Sequence, residues 1–574
     1  MELKREHRVA LGVELATLAL VVAWAAQLLL SHETTNTTTD DAQSQIHSLL
    51  GALTFLLLAA GASALLGPTR LPEQLRSAFR PERDAGLVVG CVLVPIVLLS
   101  RLLAQLYHED SLSGVTLLYA WMSVSIAISA FIRLVLLRSP SLQTSLAVDA
   151  LLVPVLLHLV GVEIESGMRI VLPTTCRCVV SAVFNYGVRA FPRSFTLGEA
   201  LLVAQGIGMT AFDLVLYSFY QVNKTRGFFI QLPATLSSWH ITSIEREDFV
   251  LALQLGLTGS LLVCIALAPL LRSHGSGSPS KVAPPLPFPQ CTEFAARSLG
   301  VVGLVVYPWS CLVLETRNPF AWLFRFLISQ ATRPLLIAYW LACLVVLVPL
   351  FAFLADKLAL RQIVARKLFH ALVVLMFVPA YYVDAPMLVL SYGVALSVFC
   401  IVECLRALSL PPCGQQIAEF MKTFIDQRDG GRLILTHSYL LLGCALPLWL
   451  SSSSPSPASP ANALAVNAGI LALGIGDAMG AVVGSRFGKR RLVGSKTLEG
   501  TFAIIASIAL ASLYFHDFHV QVLSHGRYEQ LALLLGGVVL TSVLETCTSQ
   551  IDNLVLPLFF FAICNLVACH QQQH

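Results

Sequence analysis

The sequence is poor in charged residues. Only 12% of its 574 residues are Asp, Glu, Lys or Arg, whereas 56% are hydrophobic. Soluble domains carry about 25% charged residues, so this chain has too little charge to cover a soluble surface of its size. Its 14 cysteines are mostly scattered through apolar stretches, a pattern that does not indicate a secreted disulfide framework. The composition therefore argues against a soluble globular protein.

The common nucleotide-binding motifs are absent as well. The P-loop pattern G-x-x-x-x-G-K-[ST] would need glycine at position 483 and Ser or Thr at position 490, where the chain has Val483 and Arg490. The HRD and DFG motifs of protein kinases do not occur. Any nucleotide chemistry in this chain is therefore of another type.

In place of charge the chain has about seventeen apolar segments. Many of them are long enough for the roughly 20-residue helix that crosses a bilayer, and a chain in lipid must bond its backbone groups internally. Some segments are short, so that two or three of them can be re-entrant or merged with a neighbour. We therefore predict an all-α fold, a polytopic transmembrane helical protein with about 13–17 spans.

The distribution of positive charge predicts how the spans are oriented, because cytosolic loops collect Lys and Arg. Lys4, Arg5 and Arg8 place the N-terminus in the cytosol. Glycosylation sequons at Asn36 and Asn223 then fall on the lumenal side. The same alternation places four polar segments of the C-terminal half on the cytosolic face: Lys357–Lys367, Lys422–Arg432, Arg486–Lys496 and Thr548–Asn553. We expect them to build one site.

A Gly/Ser/Pro-rich segment at 272–290, RSHGSGSPSKVAPPLPFPQ, predicts a flexible cytosolic linker. It divides the chain into an N-terminal multi-span membrane region, 1–290, and a C-terminal multi-span catalytic region, 291–574. A second biased stretch, SSSSPSPASP at 451–460, is predicted to be lumenal.

The stretch Gly476–Thr501, GDAMGAVVGSRFGKRRLVGSKTLEGT, combines an apolar run with polar chemistry. Its glycines recur every fourth residue and would lie along one stripe of a helix. Such a stripe either lets another helix pack closely or lets a phosphate approach the bare backbone. Asp477 favours function, because an aspartate in a membrane span costs several kcal/mol and is rare without a role. The basic residues that follow can anchor the helix at the membrane or bind phosphate.

Other polar groups are predicted to lie on the same face. His370 opens a span and is either a proton carrier or an interface residue. Glu403 and Arg406 are spaced for a structural ion pair or for a site. Asp552 and Asn553, near Glu545 at the turn between two spans, form either a metal site opposite Asp477 or a polar turn that caps a helix. Gln550 belongs to the same turn.

Several of these motifs resemble the polyprenol kinase family, and within it most closely the enzymes that act on dolichol. Gly476-Asp477-Ala478, Gly484-x3-Gly488 and Lys496-Thr497-x-Glu499-Gly500-Thr501 are similar to its CTP-binding segment. The Arg366-Lys367-x-Phe369-His370 box and Gln550-x-Asp552-Asn553-Leu554-x-Leu556-Pro557 are similar to other stretches of the family. The resemblance covers about residues 357–569.

The chain departs from the family pattern at one point. Members that act on dolichol tend to have two adjacent lysines before Thr-x-Glu-Gly-Thr, whereas here Ser495 precedes a single Lys496. Arg490 and Arg491 are candidates to compensate. The long N-terminal half favours the dolichol branch, because the other relatives are usually much shorter.

The resemblance implies an enzyme of the endoplasmic reticulum membrane whose N-terminus and active site face the cytosol. It would transfer the γ-phosphate of CTP to the terminal hydroxyl of dolichol. The product, dolichyl phosphate, carries sugars for protein N-glycosylation and related pathways. We expect CTP, dolichol and membrane lipid as partners, no nucleic acid, and no protein partner that the sequence identifies.

The same resemblance implies site residues. Asp477, His370 and Asp552 are expected to be catalytic, and Asp477, Asp552 and Glu499 to hold Mg²⁺ or another divalent cation on the CTP phosphates. The base that takes the dolichol proton is left open between Asp477 and His370. The residues expected to bind CTP are Gly484, Ser485, Arg486, Gly488, Lys489, Arg490, Arg491, Gly494, Lys496, Thr497, Glu499 and Gly500.

Alternative functions remain at this stage. The nearest is a CTP-dependent kinase of another lipid alcohol, of the phytol or diacylglycerol type, or an enzyme like phosphatidate cytidylyltransferase. A transporter would place charges near the midplane of several spans in both halves, and the N-terminal spans have few. A non-catalytic scaffold would not need to gather Asp477, Lys496, Glu499 and Asp552 on one face.

Overall fold

The computed structural model describes residues 2–35, 40–66, 77–82, 84–109, 114–137, 148, 167–226, 246–274, 284–422, 425, 429, 431–452, 463–514 and 528–570. Five predicted features lie wholly or mostly outside these residues. They are the sequon at Asn36, an apolar segment at 144–161, the middle of the linker at 272–290, the polar segment at 422–432, and most of the Ser/Pro-rich stretch at 451–460.

The described part of the chain is helical. It contains no β-strand, apart from an isolated bridge between Arg491 and Thr497. The helices of the N-terminal region are α1 (Glu2–Thr35), α2 (Asp40–Leu66), α3 (Leu87–Glu109), α4 (Gly114–Phe131) with the π-helix π1 (Ile132–Leu136), α5 (Gly167–Ala190), α6 (Leu197–Arg226) and α7 (Asp248–His274).

The C-terminal region continues the helical pattern. Its elements are α8 (Phe288–Val301), π2 (Val302–Val306), α9 (Tyr307–Val313), α10 (Pro319–Ile328), α11 (Thr332–Lys357), α12 (Gln362–Val383), α13 (Ala385–Ala407), α14 (Gly414–Lys422), α15 (Thr436–Ser452), α16 (Ala463–Val466), π3 (Ile470–Asp477), α17 (Ala478–Phe487), α18 (Leu498–Tyr514), α19 (Tyr528–Cys547) and α20 (Asp552–Cys569).

Thirteen helical segments among the described residues are long and apolar enough to cross a membrane. Two further apolar helices, α10 and α18, are shorter. The prediction of an all-α polytopic membrane protein with about 13–17 spans is confirmed.

Helix α20 forms the centre of the bundle. Every residue from Asn553 to Cys569 is buried, including the adjacent rings of Phe559, Phe560 and Phe561. The helix packs against α3 of the N-terminal region and against α15 and α19 of the C-terminal region. One hydrophobic core therefore spans both regions, while their functional division near residue 290 stays a prediction.

The glycine stripe packs against α18. A Cβ atom placed on Gly476 would lie 2.7 Å from the side chain of Ile508, and one placed on Gly480 would lie 2.5 Å from Ile504. These glycines let the π3–α17 segment approach α18 more closely than larger residues would allow. Helix packing therefore accounts for the first two glycines of the stripe, Gly476 and Gly480.

Glu403 and Arg406 form a structural ion pair on α13. Arg406 donates to both carboxylate oxygens of Glu403, at 2.8 and 2.6 Å. Glu403 Oε1 also accepts the backbone N–H of Ile434 at 2.7 Å, two residues before α15 begins. The pair thus fixes the start of α15.

Candidate functional site

Five helical elements bring their ends together on one face of the bundle. The starts of α12, α18 and α20 lie there beside the ends of the π3–α17 segment and of α19, because successive elements cross in opposite directions. Glu545 and Asp552 lie at such ends, whereas Asp477 lies within the continuous helical span Ile470–Phe487 and meets them from inside the bundle. This is the face that the sequence predicts for the site.

Asp477 lies at the end of π3 and is buried. Short π-helical segments are frequent at functional sites, since the wider turn changes the direction of a side chain. The Asp477 carboxylate forms an ion pair with the ammonium group of Lys367, and its Oδ2 atom lies 3.2 Å from His370 Nε2. Lys367 and His370 are three residues apart on α12 and so share one helix face.

His370 is buried beside this ion pair, with 3% of its surface exposed. Its Nε2 atom lies 3.3 Å from Lys367 Nζ, and its Nδ1 atom lies 3.3 Å from the carbonyl oxygen of Arg366. The imidazole is therefore held on both nitrogens by α12 and by Asp477. The structure brings the two predicted candidates for the base together.

Three carboxylates converge next to Lys496. Ligand atoms of Asp477, Glu545 and Asp552 all lie within 4.8 Å of one another. Lys496 forms an ion pair with Glu545, and its Nζ atom lies 3.9 Å from Asp552 Oδ2. Carboxylate oxygens in such a cluster are the ligands that Mg²⁺ prefers. The geometry fits a divalent cation, and we call Asp477, Glu545 and Asp552 the acidic trio.

The loop between α17 and α18 is a short hairpin above the acidic trio. Leu492 N–H donates to the Lys496 carbonyl, and Leu498 N–H donates to the Arg490 carbonyl, both at 2.9 Å. Gly494 turns the chain with φ of 60°, a left-handed conformation that favours glycine. The hairpin directs Lys496 towards the carboxylates.

Glu499 anchors this hairpin instead of joining the acidic trio. Its Oε2 atom accepts the backbone N–H of Lys489 at 3.0 Å, and both carboxylate oxygens lie 3.3 Å from the N–H of Arg490. Hydrogen bonds from its own backbone N–H, and then from those of Lys489 and Arg490, lower the pKa of Glu499. Glu499 thus lies outside the acidic trio, which includes Glu545, and its predicted role as a cation ligand stays a prediction.

Thr497 packs against Gly484 and Gly488, the last two glycines of the stripe. Thr497 Oγ1 accepts the Gly500 N–H at 3.2 Å, the contact of a helix N-cap. A Cβ atom on Gly484 would lie 2.9 Å from this hydroxyl, and one on Gly488 would lie 2.7 Å from it. A Cβ on Gly500 would meet the Gly480 carbonyl at 2.9 Å. The open side predicted for the phosphates is thus filled by the chain, and CTP binding by these residues stays a prediction.

The predicted cations surround the hairpin at the surface. The side chains of Arg486, Lys489, Arg490 and Arg491 are exposed. The Ser485 hydroxyl bonds to the carbonyl of Val482 at 3.0 Å, and the Ser485 carbonyl accepts from Arg361 Nη1 at 2.9 Å. A polyanion at this surface would meet several positive charges, so the hairpin can serve a phosphate-bearing ligand.

Gln550 and Asn553 have structural contacts. Gln550 Oε1 accepts from the Thr196 hydroxyl at 2.5 Å, and Asn553 Nδ2 donates to the carbonyl of Thr436 at 3.2 Å. Both side chains are buried. Among the polar residues of the turn, the structure places Asp552 and Glu545 in the site.

Comparison with known proteins decides the family. The sequence model of the dolichol kinase family matches residues 183–495, more than half of the chain. The chain belongs to the dolichol kinase family. The dolichol kinase EVAN of Arabidopsis thaliana is 31% identical over 557 aligned residues, and the match covers 89% of this chain and 93% of the plant protein. The dolichol kinase of Homo sapiens is 36% identical over 390 aligned residues, and the match covers 65% of each chain.

A more distant member of the dolichol kinase family, from Saccharomyces cerevisiae, is 31% identical over 262 residues, or 45% of this chain. No solved structure matches the chain. The family match begins at residue 183, far before the stretch 357–569 on which the resemblance in the sequence rests. It includes Lys367, His370 and Asp477 and ends immediately before Lys496.

Two residues of the candidate site, Lys367 and Glu545, belong to stretches that the sequence singles out but were not among the predicted site residues. Lys367 stands in the box that contains His370, but its spacing from His370 alone does not show that a distant aspartate pairs with it. Glu545 is visible beside the Asp552 turn, yet its role depends on the reversal of the chain between α19 and α20. Glu499 stands in the family-like box, and its predicted role as a cation ligand stays a prediction.

Proposed function

We propose that this protein is a dolichol kinase, which transfers the γ-phosphate of CTP to the terminal hydroxyl of dolichol at the cytosolic face of the endoplasmic reticulum membrane. The product would be dolichyl phosphate for protein N-glycosylation and related glycan pathways. The observation that carries the proposal is the convergence of the acidic trio with Lys496 at the helix ends, in a chain of the dolichol kinase family.

The position of the site suits one substrate from water and one from lipid. The basic hairpin at 488–497 is exposed and can receive a soluble nucleotide. Large apolar side chains nearby are also exposed: Ile363 on α12 is 54% exposed, Phe487 60% and Phe502 62%. In a membrane protein such side chains contact lipid, so an isoprenoid can reach the same helix ends from the bilayer.

The acidic trio would hold Mg²⁺ or another divalent cation. Three carboxylates from π3, α19 and α20 offer oxygen atoms within 4.8 Å of one another, and hard cations bound by few carboxylates and by nucleotide phosphates are common in kinases. When bound, the cation supplies charge neutralisation to the phosphates. The donor set fits this role.

The chain's own residues supply positioning and charge. Lys496, held beside Glu545 and Asp552, is placed to bind a phosphate oxygen. Arg486, Lys489, Arg490 and Arg491 would hold the remaining phosphate charge at the hairpin. Phosphoryl transfer depends mainly on such positioning and electrostatic stabilisation, which agrees with a site rich in cations around one carboxylate cluster.

The proton of the dolichol hydroxyl would pass to Asp477 or to His370. These side chains lie 3.2 Å apart, within the reach of a direct proton transfer between them. Lys367 holds the Asp477 carboxylate in place from the same helix that carries His370. The three side chains therefore act as one unit, in which a change to one member alters the other two.

The test uses membranes that express the full chain, Mg²⁺, and CTP labelled on either the γ- or the α-phosphate, with dolichol and diacylglycerol offered separately. The proposal predicts γ-label in dolichol. Label from the γ-phosphate in diacylglycerol alone would overturn the acceptor, and α-label in lipid would indicate cytidylyl transfer. The absence of label from every lipid, with folded protein present, would overturn the proposal as a whole.

A further inference from the structure

The turn between α19 and α20 is held by residues of the N-terminal region. The backbone N–H of Ile551 donates to Glu199 Oε1 at 3.2 Å. Next to it, Gln550 Oε1 accepts from the Thr196 hydroxyl at 2.5 Å, and Gln550 Nε2 donates to the carbonyl of Asp84 at 3.2 Å. Residues more than 350 positions earlier in the chain thus bind two consecutive residues of this turn.

Glu199 is itself fixed in place. It lies at the start of α6 with 0% of its surface exposed. Arg80 Nη2 donates to Oε1 at 2.6 Å, and the backbone N–H of Thr196 donates to Oε2 at 3.1 Å. Gly86 packs so tightly on Gln550 that a Cβ there would lie 2.3 Å from its side-chain amide. These hydrogen bonds and this close packing hold the N-terminal region and the α19–α20 turn in one fixed position relative to each other.

This turn connects two members of the acidic trio. Glu545 stands in the last turn of α19, and Asp552 is the first residue of α20. Ile551, whose N–H Glu199 accepts, directly precedes Asp552, and the Ile551 side chain offers no cap for the helix. Groups behind the ligands of a cation fix their orientation, and losing such a group typically weakens the site about 10–100-fold.

We propose that Glu199 is a positioning residue for the reaction, which sets the separation of Glu545 and Asp552 by holding the α19–α20 turn. The proposal rests on the cation site of the proposed function. Glu199 acts through the backbone of Ile551 and, with Thr196, through Gln550. The N-terminal region then has a part in catalysis besides crossing the membrane, because its cytosolic loops complete the support of the acidic trio.

Glu403 offers a matched control. Like Glu199 it is a buried glutamate paired with an arginine, and it accepts the backbone N–H of an isoleucine shortly before a helix. The helix that Glu403 supports is α15, which carries no member of the acidic trio. Substituting glutamine at either position removes one acceptor oxygen from a similar network. The two variants should therefore lose similar stability.

The experiment compares Glu199→Gln and Glu403→Gln in the purified full-length protein. Hydrogen–deuterium exchange is followed in peptides that cover 546–553 and 431–436, and dolichol phosphorylation is measured against Mg²⁺ concentration. Glu199→Gln is expected to speed exchange in 546–553 by about tenfold or more and to raise the half-saturating Mg²⁺ concentration at least about tenfold. Glu403→Gln should speed exchange in 431–436 alone and keep the wild-type Mg²⁺ dependence.

A second variant guards against misfolding. Thr196→Val keeps the shape of the side chain but loses the hydroxyl that bonds to Gln550, and a smaller change of the same kind is expected in both readouts. The proposal is overturned if Glu199→Gln leaves exchange in 546–553 and the Mg²⁺ dependence unchanged, or if Glu403→Gln shifts the Mg²⁺ dependence equally. A wild-type protein that is folded but inactive would instead overturn the proposed function, and the positioning role of Glu199 with it.

Discussion

His370 Nε2 lies 3.2 Å from Asp477 Oδ2, at the place where α12 packs against π3. The same carboxylate pairs with Lys367, one helical turn away from His370. An aspartate that is buried among apolar helices keeps its charge only with such partners. The box at the start of α12 and the Gly-Asp-Ala motif of π3 thus form one structural unit. The aspartate of one motif is paired with the lysine and the histidine of the other.

The first prediction concerns Lys367. Lys367→Met should lower the free energy of unfolding by about 3–5 kcal/mol, because it leaves the buried Asp477 carboxylate without its cation. The double variant Lys367→Met/Asp477→Asn should recover most of that stability while remaining inactive, since the proposed reaction uses the Asp477 carboxylate. Denaturation in detergent and kinase assays measure the two effects. Recovery of activity in the double variant would contradict the role of Asp477.

The second prediction concerns Glu545. Glu545→Gln should raise the half-saturating Mg²⁺ concentration at least about tenfold, because one ligand oxygen of the acidic trio is lost. Glu529→Gln is the matched control, as Glu529 stands at the opposite end of the same helix. Its Mg²⁺ dependence should equal that of the wild type. A normal Mg²⁺ titration in Glu545→Gln would show that Glu545 does not bind the cation.

The third prediction tests the glycine stripe. Gly480→Ala should destabilise the protein by about 1–3 kcal/mol, because the new Cβ would lie 2.5 Å from Ile504. Adding Ile504→Ala should restore much of the loss by making room. Gly536→Ala on α19 is the control, since a Cβ there meets nothing within 4 Å. The melting temperatures of these variants in detergent measure the effect. Failure of Ile504→Ala to rescue Gly480→Ala would refute the packing explanation.

The fourth prediction tests orientation. Of the described cysteines Cys413 is the exposed one, and it follows α13 on the face of the site. Arg317 is exposed at the opposite end of the α8–α9 span. A membrane-impermeant maleimide should label Cys413 in sealed microsomes. Arg317→Cys, in a Cys413→Ser background, should be labelled only after permeabilisation. The reverse pattern would place the site in the lumen.

Much of the fold follows from the sequence because lipid leaves few alternatives. Long apolar runs must be helical, and the positive charges fix which loops share a face. The alternation alone brings His370, Asp477, Lys496 and Asp552 to the same face, and the structure places them together. Which span is central was not predictable, because α20 is no more apolar than several spans at the periphery.

The sequence was less informative about single side chains. Glu499 stands in the motif that resembles a CTP site, but the first turn of α18 directs its carboxylate to the N–H groups of Lys489 and Arg490. Glu545 reaches the acidic trio because the chain reverses between α19 and α20. Glycine spacing could not separate packing from phosphate binding, since both need a surface without side chains. The position of α18, whose side chains lie against Gly476 and Gly480, shows that these two glycines serve helix packing.

The most direct test of the account is the transfer of γ-label from CTP to dolichol by purified protein in liposomes, with Asp477→Asn compared against the wild type. Asp384→Asn is the control, because Asp384 is also a buried aspartate paired with a cation, Arg333 at 2.7 Å, but at the other end of α12. The account predicts that Asp477→Asn loses at least about 100-fold in rate, and that folded Asp384→Asn stays near the wild-type rate. Wild-type transfer by Asp477→Asn, or equal losses in both variants, would contradict it.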